Sequence, residues 1–170
     1  MEKKDKIISS LKELLPYIII IIVVVLIRTY IATPIKVNGT SMNDTLNHKD
    51  TMILNKIGLK LNELKRFDIV VIETGDTYLI KRIIGLPGEK IEYKEGILYI
   101  NGKKVKDPYY KDNNTNDFDI VNIPKNNYFV MGDNRNNSID SRIIGVINKK
   151  DIIGTTKLVI FPFRNIGIAK

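Results

Sequence analysis

Three stretches of this 170-residue chain carry the side chains that chemistry would need. The first is Asn38-Gly39-Thr40-Ser41-Met42-Asn43-Asp44-Thr45-Leu46, where a serine between small and thioether neighbours makes a setting for an exposed nucleophile. Alone it says little, because most loop serines bond only their own backbone. The second is the strand-like run Tyr78-Leu79-Ile80-Lys81-Arg82-Ile83-Ile84, with a lysine where alternation expects an apolar residue. Period-2 alternation puts Leu79, Lys81 and Ile83 on one face. An ammonium between aliphatic neighbours is desolvated, which lowers its pKa from ~10.4, and a shift of ~3 units costs ~4 kcal/mol. The neutral amine is then a base for Ser41. The alternative is a lysine whose stem packs while its head reaches water, and the strand alone favours that one. The third stretch, Met131-Gly132-Asp133-Asn134-Arg135-Asn136-Asn137-Ser138-Ile139-Asp140-Ser141-Arg142, tips the reading toward the base. It is rich in interlocking donors and acceptors: Asp140 and Arg142 can pair, and Ser138 can hydrogen-bond a neutral lysine.

Other chemistries fit less well. The single histidine, His48, sits in a polar Asn-His-Lys-Asp segment without an acidic orienter, so it reads as an exposed loop residue. With one His and no Cys there is no zinc set, no disulfide and no thiolate nucleophile. Gly85-Leu86-Pro87-Gly88-Glu89-Lys90 has the wrong glycine spacing for a phosphate loop. Ser9-Ser10-Leu11-Lys12 matches Ser-x-x-Lys but lacks the companion motifs of β-lactamase-type enzymes. Asp112, Asn114 and Asn116 open like a calcium loop, yet Asp117 stands where glycine is needed and Ile123 where a bidentate Glu belongs. The expectation is no metal and no cofactor.

The elements that must position these residues begin with a membrane anchor. Leu14 to Thr33 is a twenty-residue run with Arg28 as its only charge, long enough at ~30 Å to span a bilayer if Arg28 snorkels. Pro34 is expected to stop the helix. The run has no amphipathic stripe, as a core helix would, and no small-x-small cleavage site follows it. Lys3, Lys4, Lys6 and Lys12 place the N-terminus in the cytoplasm and all that follows outside. The net charge of +8 is scattered and carries no nucleic-acid fingerprint, so it suits an anionic lipid surface at least as well as a nucleic acid. From Ile35 on, the pattern is strands and turns: Thr51–Leu54, Asp68–Glu73, Tyr78–Ile84, Ile97–Ile100, Tyr128–Met131, Val146–Asn148 and Ile152–Ile160, with Asn101-Gly102 as a hairpin turn. Leu59–Leu64 has the makings of one helical turn.

Together the three stretches resemble the signature boxes of bacterial type I signal peptidases, membrane-bound Ser/Lys endopeptidases, of Gram-positive type. The serine box is similar to Gly39-x-Ser41-Met42-x-x-Thr45-Leu46. Arg66-Phe67-Asp68-Ile69-Val70-Val71, Lys81-Arg82-Ile83-Ile84-Gly85-Leu86-Pro87-Gly88-Glu89 and Gly132-Asp133-Asn134-Arg135-x-x-Ser138-x-Asp140-Ser141-Arg142-x-x-Gly145 follow in the family's order. Arg28-Thr29-Tyr30 and the Pro162…Ile166-Gly167 ending fit as well, so the resemblance covers nearly the whole chain.

The resemblance implies a mainly β fold. A single transmembrane helix (14–33, after a cytoplasmic flank 1–13) would precede an extracytoplasmic all-β catalytic domain of coiled antiparallel sheets (34–170), with a small β insertion at roughly 90–125. It implies Ser41 as nucleophile, Lys81 as general base and Ser138 as the residue that orients the lysine. Arg82 and the Asp140–Arg142 pair would brace the site. The oxyanion would bond the Ser41 N–H, with Gly39 where some members carry an extra hydroxyl. Val37, Met42, Leu46, Leu79 and Ile80 would line shallow pockets for small substrate residues. The partners implied are signal peptides of secretory preproteins and the bilayer, with the secretion translocon nearby. One departure is Asp44, where the family usually has proline. Proline would fix φ without adding charge, so Asp44→Pro is expected to preserve or raise activity provided φ and the N–H there permit it, and an Asp44 carboxylate near Lys81 would raise the lysine pKa. A specialised processing peptidase with few substrates and an inactive signal-peptide-binding homologue are the rival readings.

Overall fold

The computed structural model describes residues 2–75, 77–109 and 115–169. Asp112 and Asn114 of the calcium-like spacing, and Asp76 of the Thr74-Gly75-Asp76 turn, lie outside the described residues. Helix α1, Glu2–Leu26, is continued by one turn of π-helix, Ile27–Ile31. The segment Lys12–Ile31 is long and apolar enough to cross a membrane, and none of it is buried against the rest of the chain. A helix that is apolar all round and packs against no protein needs another apolar phase, which disposes of the core-helix alternative. The helix ends earlier than Pro34. Ala32 is already extended, and Pro34 lies inside the first strand, β1 (Ala32–Lys36). A proline is tolerated there because β1 is an edge strand.

The strands that follow are β2 (Thr51–Asn55), β3 (Ile69–Thr74), β4 (Thr77–Gly85), β5 (Lys90–Lys94), β6 (Ile97–Ile100), β7 (Lys103–Val105), β8 (Phe118–Asn122), β9 (Asn127–Met131), β10 (Ile147–Asn148), β11 (Ile152–Phe161) and β12 (Gly167–Ile168). Among the described residues two short α-helices interrupt them, α2 (Ile57–Leu61) and α3 (Ser141–Ile144), with 3₁₀ turns at Lys149–Asp151 and Phe163–Asn165. The larger sheet runs β1-β2-β11-β3-β4-β9-β10, with β12 added on β11, and the smaller runs β7-β6-β5-β8. Every pairing is antiparallel, so the fold is mainly antiparallel β behind one apolar helix. Asn101 and Gly102 both take positive φ, 52° and 73°, as the two-residue turn between β6 and β7 requires.

Strand β3 explains why the site forms where it does. Ile69, Val70, Val71 and Ile72 are buried on both faces, which β-branched side chains suit. Val70 and Ile72 join Leu64, Ile83, Tyr128, Val130, Ile147 and Ile152 in one core cluster, while Ile69 joins Val37, Met42, Leu46, Met52 and Val159 in another. A third cluster, including Ile84, Ile91, Tyr93, Leu98 and Phe129, couples the smaller sheet to β4 and β9. Strand β4 pairs with β3 from Thr77 to Arg82 but meets β9 only from Arg82 onward. Lys81 therefore sits at the last position before its strand becomes enclosed on both sides.

Candidate active site

The loop between β1 and β2 delivers Ser41. It is closed at its base by Val37 N–H to Asp50 O and Lys49 N–H to Val37 O, at 2.8 and 2.9 Å. Met42 and Leu46, 1% and 0% exposed, plug it into the core, and the amides of Thr45 and Leu46 both donate to the Met42 carbonyl. Two buried anchors on either side of a short turn leave Ser41 little freedom. Its hydroxyl is 2.6 Å from Lys81 Nζ. Lys81 is itself 3% exposed. Burial pushes its ammonium below 10.5; Asp140 and Asp133 pull the other way, and Arg142 adds to the lowering. An amine so placed can take a hydroxyl proton at the distance general-base catalysis needs.

The charges around the pair are fixed by two forks, one fully buried and one partly so. Arg82 donates Nε and Nη2 to the two oxygens of Asp133, at 2.8 and 2.7 Å, and Nη1 to the Phe67 carbonyl at 2.8 Å. Asp133 also accepts the Thr45 hydroxyl at 2.6 Å, so one carboxylate ties the serine loop to the lysine strand. Arg142 holds Asp140 through Nε and Nη2 at 2.9 and 2.8 Å. Burial opposes ionisation of Asp140, but those bonds and the Gly132 N–H outweigh it and keep the carboxyl below its ordinary range. The Ser41 carbonyl accepts Asn134 N–H at 3.0 Å, and Asn134 and Asn137 side chains reach Thr40. Gly132 permits this closeness. A Cβ there would lie 2.4 Å from both the Ser41 carbonyl and Ser138 Oγ.

The structure thus gathers Ser41, Lys81, Arg82, Asp140 and Arg142. Ser138 Oγ is buried beside Gly132 and reaches the Asp140 carboxylate, whose ionised form it favours. Val37, Met42, Leu46 and Ile80 share one cluster, but Leu79 packs into a different one. Ile80 also lines a cleft of about 460 Å³ between β1 (Thr33 to Lys36) and the start of β4 (Thr77, Tyr78). The Gly39 amide donates to His48 Nδ1 at 3.1 Å, so it is already engaged, and His48 braces the serine loop. Thr45, Asp133 and Asn134 have contacts that spacing did not reveal, because each is made across sequence separations that only the fold closes.

Asp44 is where expectation and geometry part. Its φ is 86°. Proline is locked near −65°, so it cannot replace Asp44 without rebuilding the turn, and the compatible φ on which the Asp44→Pro expectation depends is not met. Lys81 itself feels the charges of Asp140, Asp133 and Arg142. Asp44→Pro is therefore expected to cut kcat by about a hundred-fold through displacement of Ser41, while Asp44→Gly, which adopts positive φ freely, keeps it. Kinetics of the two variants side by side check this.

Comparison with known proteins gives one family. Residues 11–161 match the family described as Signal peptidase, peptidase S26. The chain is 43% identical to signal peptidase I P of Bacillus subtilis subsp. natto, over 99% of this chain and 96% of that one. It is 42% identical to signal peptidase I S of Bacillus subtilis strain 168, over 96% and 94%. The crystal structure of a signal peptidase I from Enterococcus faecalis V583 superposes with a TM-score of 0.51 at 33% identity, covering 55% of this chain and 97% of that one.

Proposed function

This chain belongs to the signal peptidase family, peptidase S26, and we propose that it is a membrane-bound endopeptidase that removes N-terminal signal peptides from exported preproteins with a Ser41–Lys81 dyad. The observation that carries the proposal is the 2.6 Å contact between Ser41 Oγ and a buried Lys81 Nζ. Lys81 takes the proton of Ser41 as Oγ bonds to the scissile carbonyl carbon. The oxyanion that forms bonds to the Ser41 N–H. The C–N bond then breaks, and the Lys81 ammonium returns the proton to the leaving amine. A water, deprotonated in turn by Lys81, releases the acyl group from Ser41. Ser138, whose hydroxyl oxygen is buried beside Gly132 and reaches Asp140, is suited to hydrogen-bond the neutral amine and so orient it.

The substrate lies extended in the cleft between β1 and β4, an arrangement supported by two free strand edges. Among the described residues one edge of β1 is unpaired, and β9 leaves Thr77 to Lys81 of β4 uncovered. Ile80, which lines this cleft with Met42 and Leu46 packed in the cluster beneath it, would meet a small residue before the cleaved bond. Residues 34–170 form the catalytic domain, with roughly 90–125 as its insertion. The lysines ahead of the apolar run from Leu14 keep the N-terminus cytoplasmic, so the domain works at the outer membrane face beside the translocon. Detergent-solubilised protein incubated with a preprotein, beside Ser41→Ala, tests this. Cleavage at the signal junction by the first and not the second is expected, and equal cleavage by both contradicts it.

A further inference from the structure

Two arginines of the site are finished by residues that follow β7, an edge strand of the smaller sheet. The segment after β7 brings Asp107 and Tyr109 against them. The Tyr109 ring lies flat over Arg82, with Cζ 3.3 Å from the ring centroid, and Phe67 flanks the same ring at 5.7 Å. Arg82 thus has Asp133 in its plane, the Phe67 carbonyl at its other edge and an aromatic face above. Asp107 pairs with Arg135 Nη2 at 2.7 Å, with side chains 3% and 1% exposed. Tyr93 from β5 closes the group, donating to Asp107 and accepting Arg135 Nη1 at 3.0 Å. Asp107 Oδ1 also accepts the Tyr109 amide at 2.9 Å, so the two residues are held as one unit.

Each arginine passes this hold on. Arg135 Nε donates to the Gly132 carbonyl at 3.0 Å, and its own carbonyl accepts Arg142 Nη2 at 2.6 Å. Gly132 N–H and Arg142 are the groups that hold Asp140. Arg82 holds Asp133, and Asp133 holds Thr45 in the serine loop. We propose that Asp107 and Tyr109 are positioning residues for catalysis: clamped together, they fix Arg135 and Arg82, and through them the loops that enclose the Ser41–Lys81 pair. The insertion is then part of the catalytic apparatus without touching substrate. This inference rests on the reading of Ser41 and Lys81 as the dyad.

The ring over Arg82 shields the Arg82–Asp133 fork from water, and the Asp107–Arg135 pair keeps Gly132 and Arg142 in place around Asp140. Loosening either admits water to Lys81, whose neighbours in charge are Asp140, Asp133 and Arg142. Hydration of the ammonium raises the pH at which the amine becomes neutral. The test is kcat and KM against pH for the full chain in detergent, on a signal-peptide substrate, in Tyr109→Ala, Tyr109→Phe and Asp107→Asn. Tyr109→Ala and Asp107→Asn are expected to lower kcat about ten-fold, shift the rising limb to higher pH and leave KM within two-fold. Tyr109→Phe, which keeps the ring, should match the parent. A structural role alone lowers the active fraction without moving the limb, so an unmoved limb overturns the proposal, as does a Tyr109→Phe variant as impaired as Tyr109→Ala. If both Tyr109→Ala and Asp107→Asn fail to fold, the clamp serves stability and the proposal falls. Ser41→Ala and Lys81→Ala run in parallel: cleavage surviving there breaks the dyad reading itself, a different failure.

Discussion

Alanine at Ser41 or at Lys81 is expected to lower cleavage of a preprotein on the order of ten-thousand- to million-fold, with the double variant little worse than either single one. The non-additivity follows from the contact itself. A hydroxyl without its base is a poor nucleophile, and a base without a hydroxyl at 2.6 Å has nothing to deprotonate. Neither change should unfold the domain. Ser41 lies in a turn whose hold on the core comes from Met42 and Leu46, and Lys81→Ala removes a buried amine whose charged form burial already disfavours. Turnover of the single and double variants, with thermal melts of each, is the measurement. A double variant ten-thousand-fold below both singles would mean that the two act separately.

The second large effect is on stability. Asp133→Ala should destabilise the domain by about 3–5 kcal/mol, because it leaves Arg82 buried at 2% exposure without its counter-charge. It also deprives Thr45 of its acceptor, so the serine loop loosens with it. Replacing both members, Arg82→Met with Asp133→Leu, should recover much of the stability, since the desolvation cost of two ions disappears with them. Activity should not return, because the tie between the serine loop and β4 is gone. Denaturant melts of the single and double variants separate the two terms. A single variant as stable as the parent would show that water already reaches the Arg82 fork.

Much of this was legible in the sequence. The apolar run, the β-branched strands and the Asn101-Gly102 turn rest on local rules, and they stand at Lys12–Ile31, β3, β4 and β6–β7. The strands that sequence reading missed are of another kind. Strand β1 carries a proline that only an edge position excuses, and Ile91 and Tyr93 of β5 and Val121 of β8 find their burial only against the third core cluster. The helical turn expected at Leu59–Leu64 sits earlier, at Ile57–Leu61, where Asn55 accepts the Gly58 amide. Within the site, Ser41 and Lys81 could be singled out by residue type. The Asp133–Thr45 bond and the Tyr109 ring over Arg82 could not, since they span 88 and 27 residues and no local pattern encodes them. Asp44 shows the opposite limit: its φ of 86° is a property of this turn that a family comparison at one position misjudged.

The claim that burial prepares Lys81 as the base of Ser41 has one direct test, the dependence of kcat/KM on pH for a signal-peptide substrate, since that ratio reports ionisations of the free enzyme. Only the neutral amine accepts the proton, so activity must rise with pH as Lys81 deprotonates and then level off. Burial lowers the lysine from 10.5, and the net effect of Asp140, Asp133 and Arg142 does not cancel that lowering. The rising limb is therefore predicted to lie clearly below 10.5 and to stay in place when His48 is replaced by alanine. A limb at the ordinary lysine value, or one near neutrality that vanishes in His48→Ala, would contradict the account.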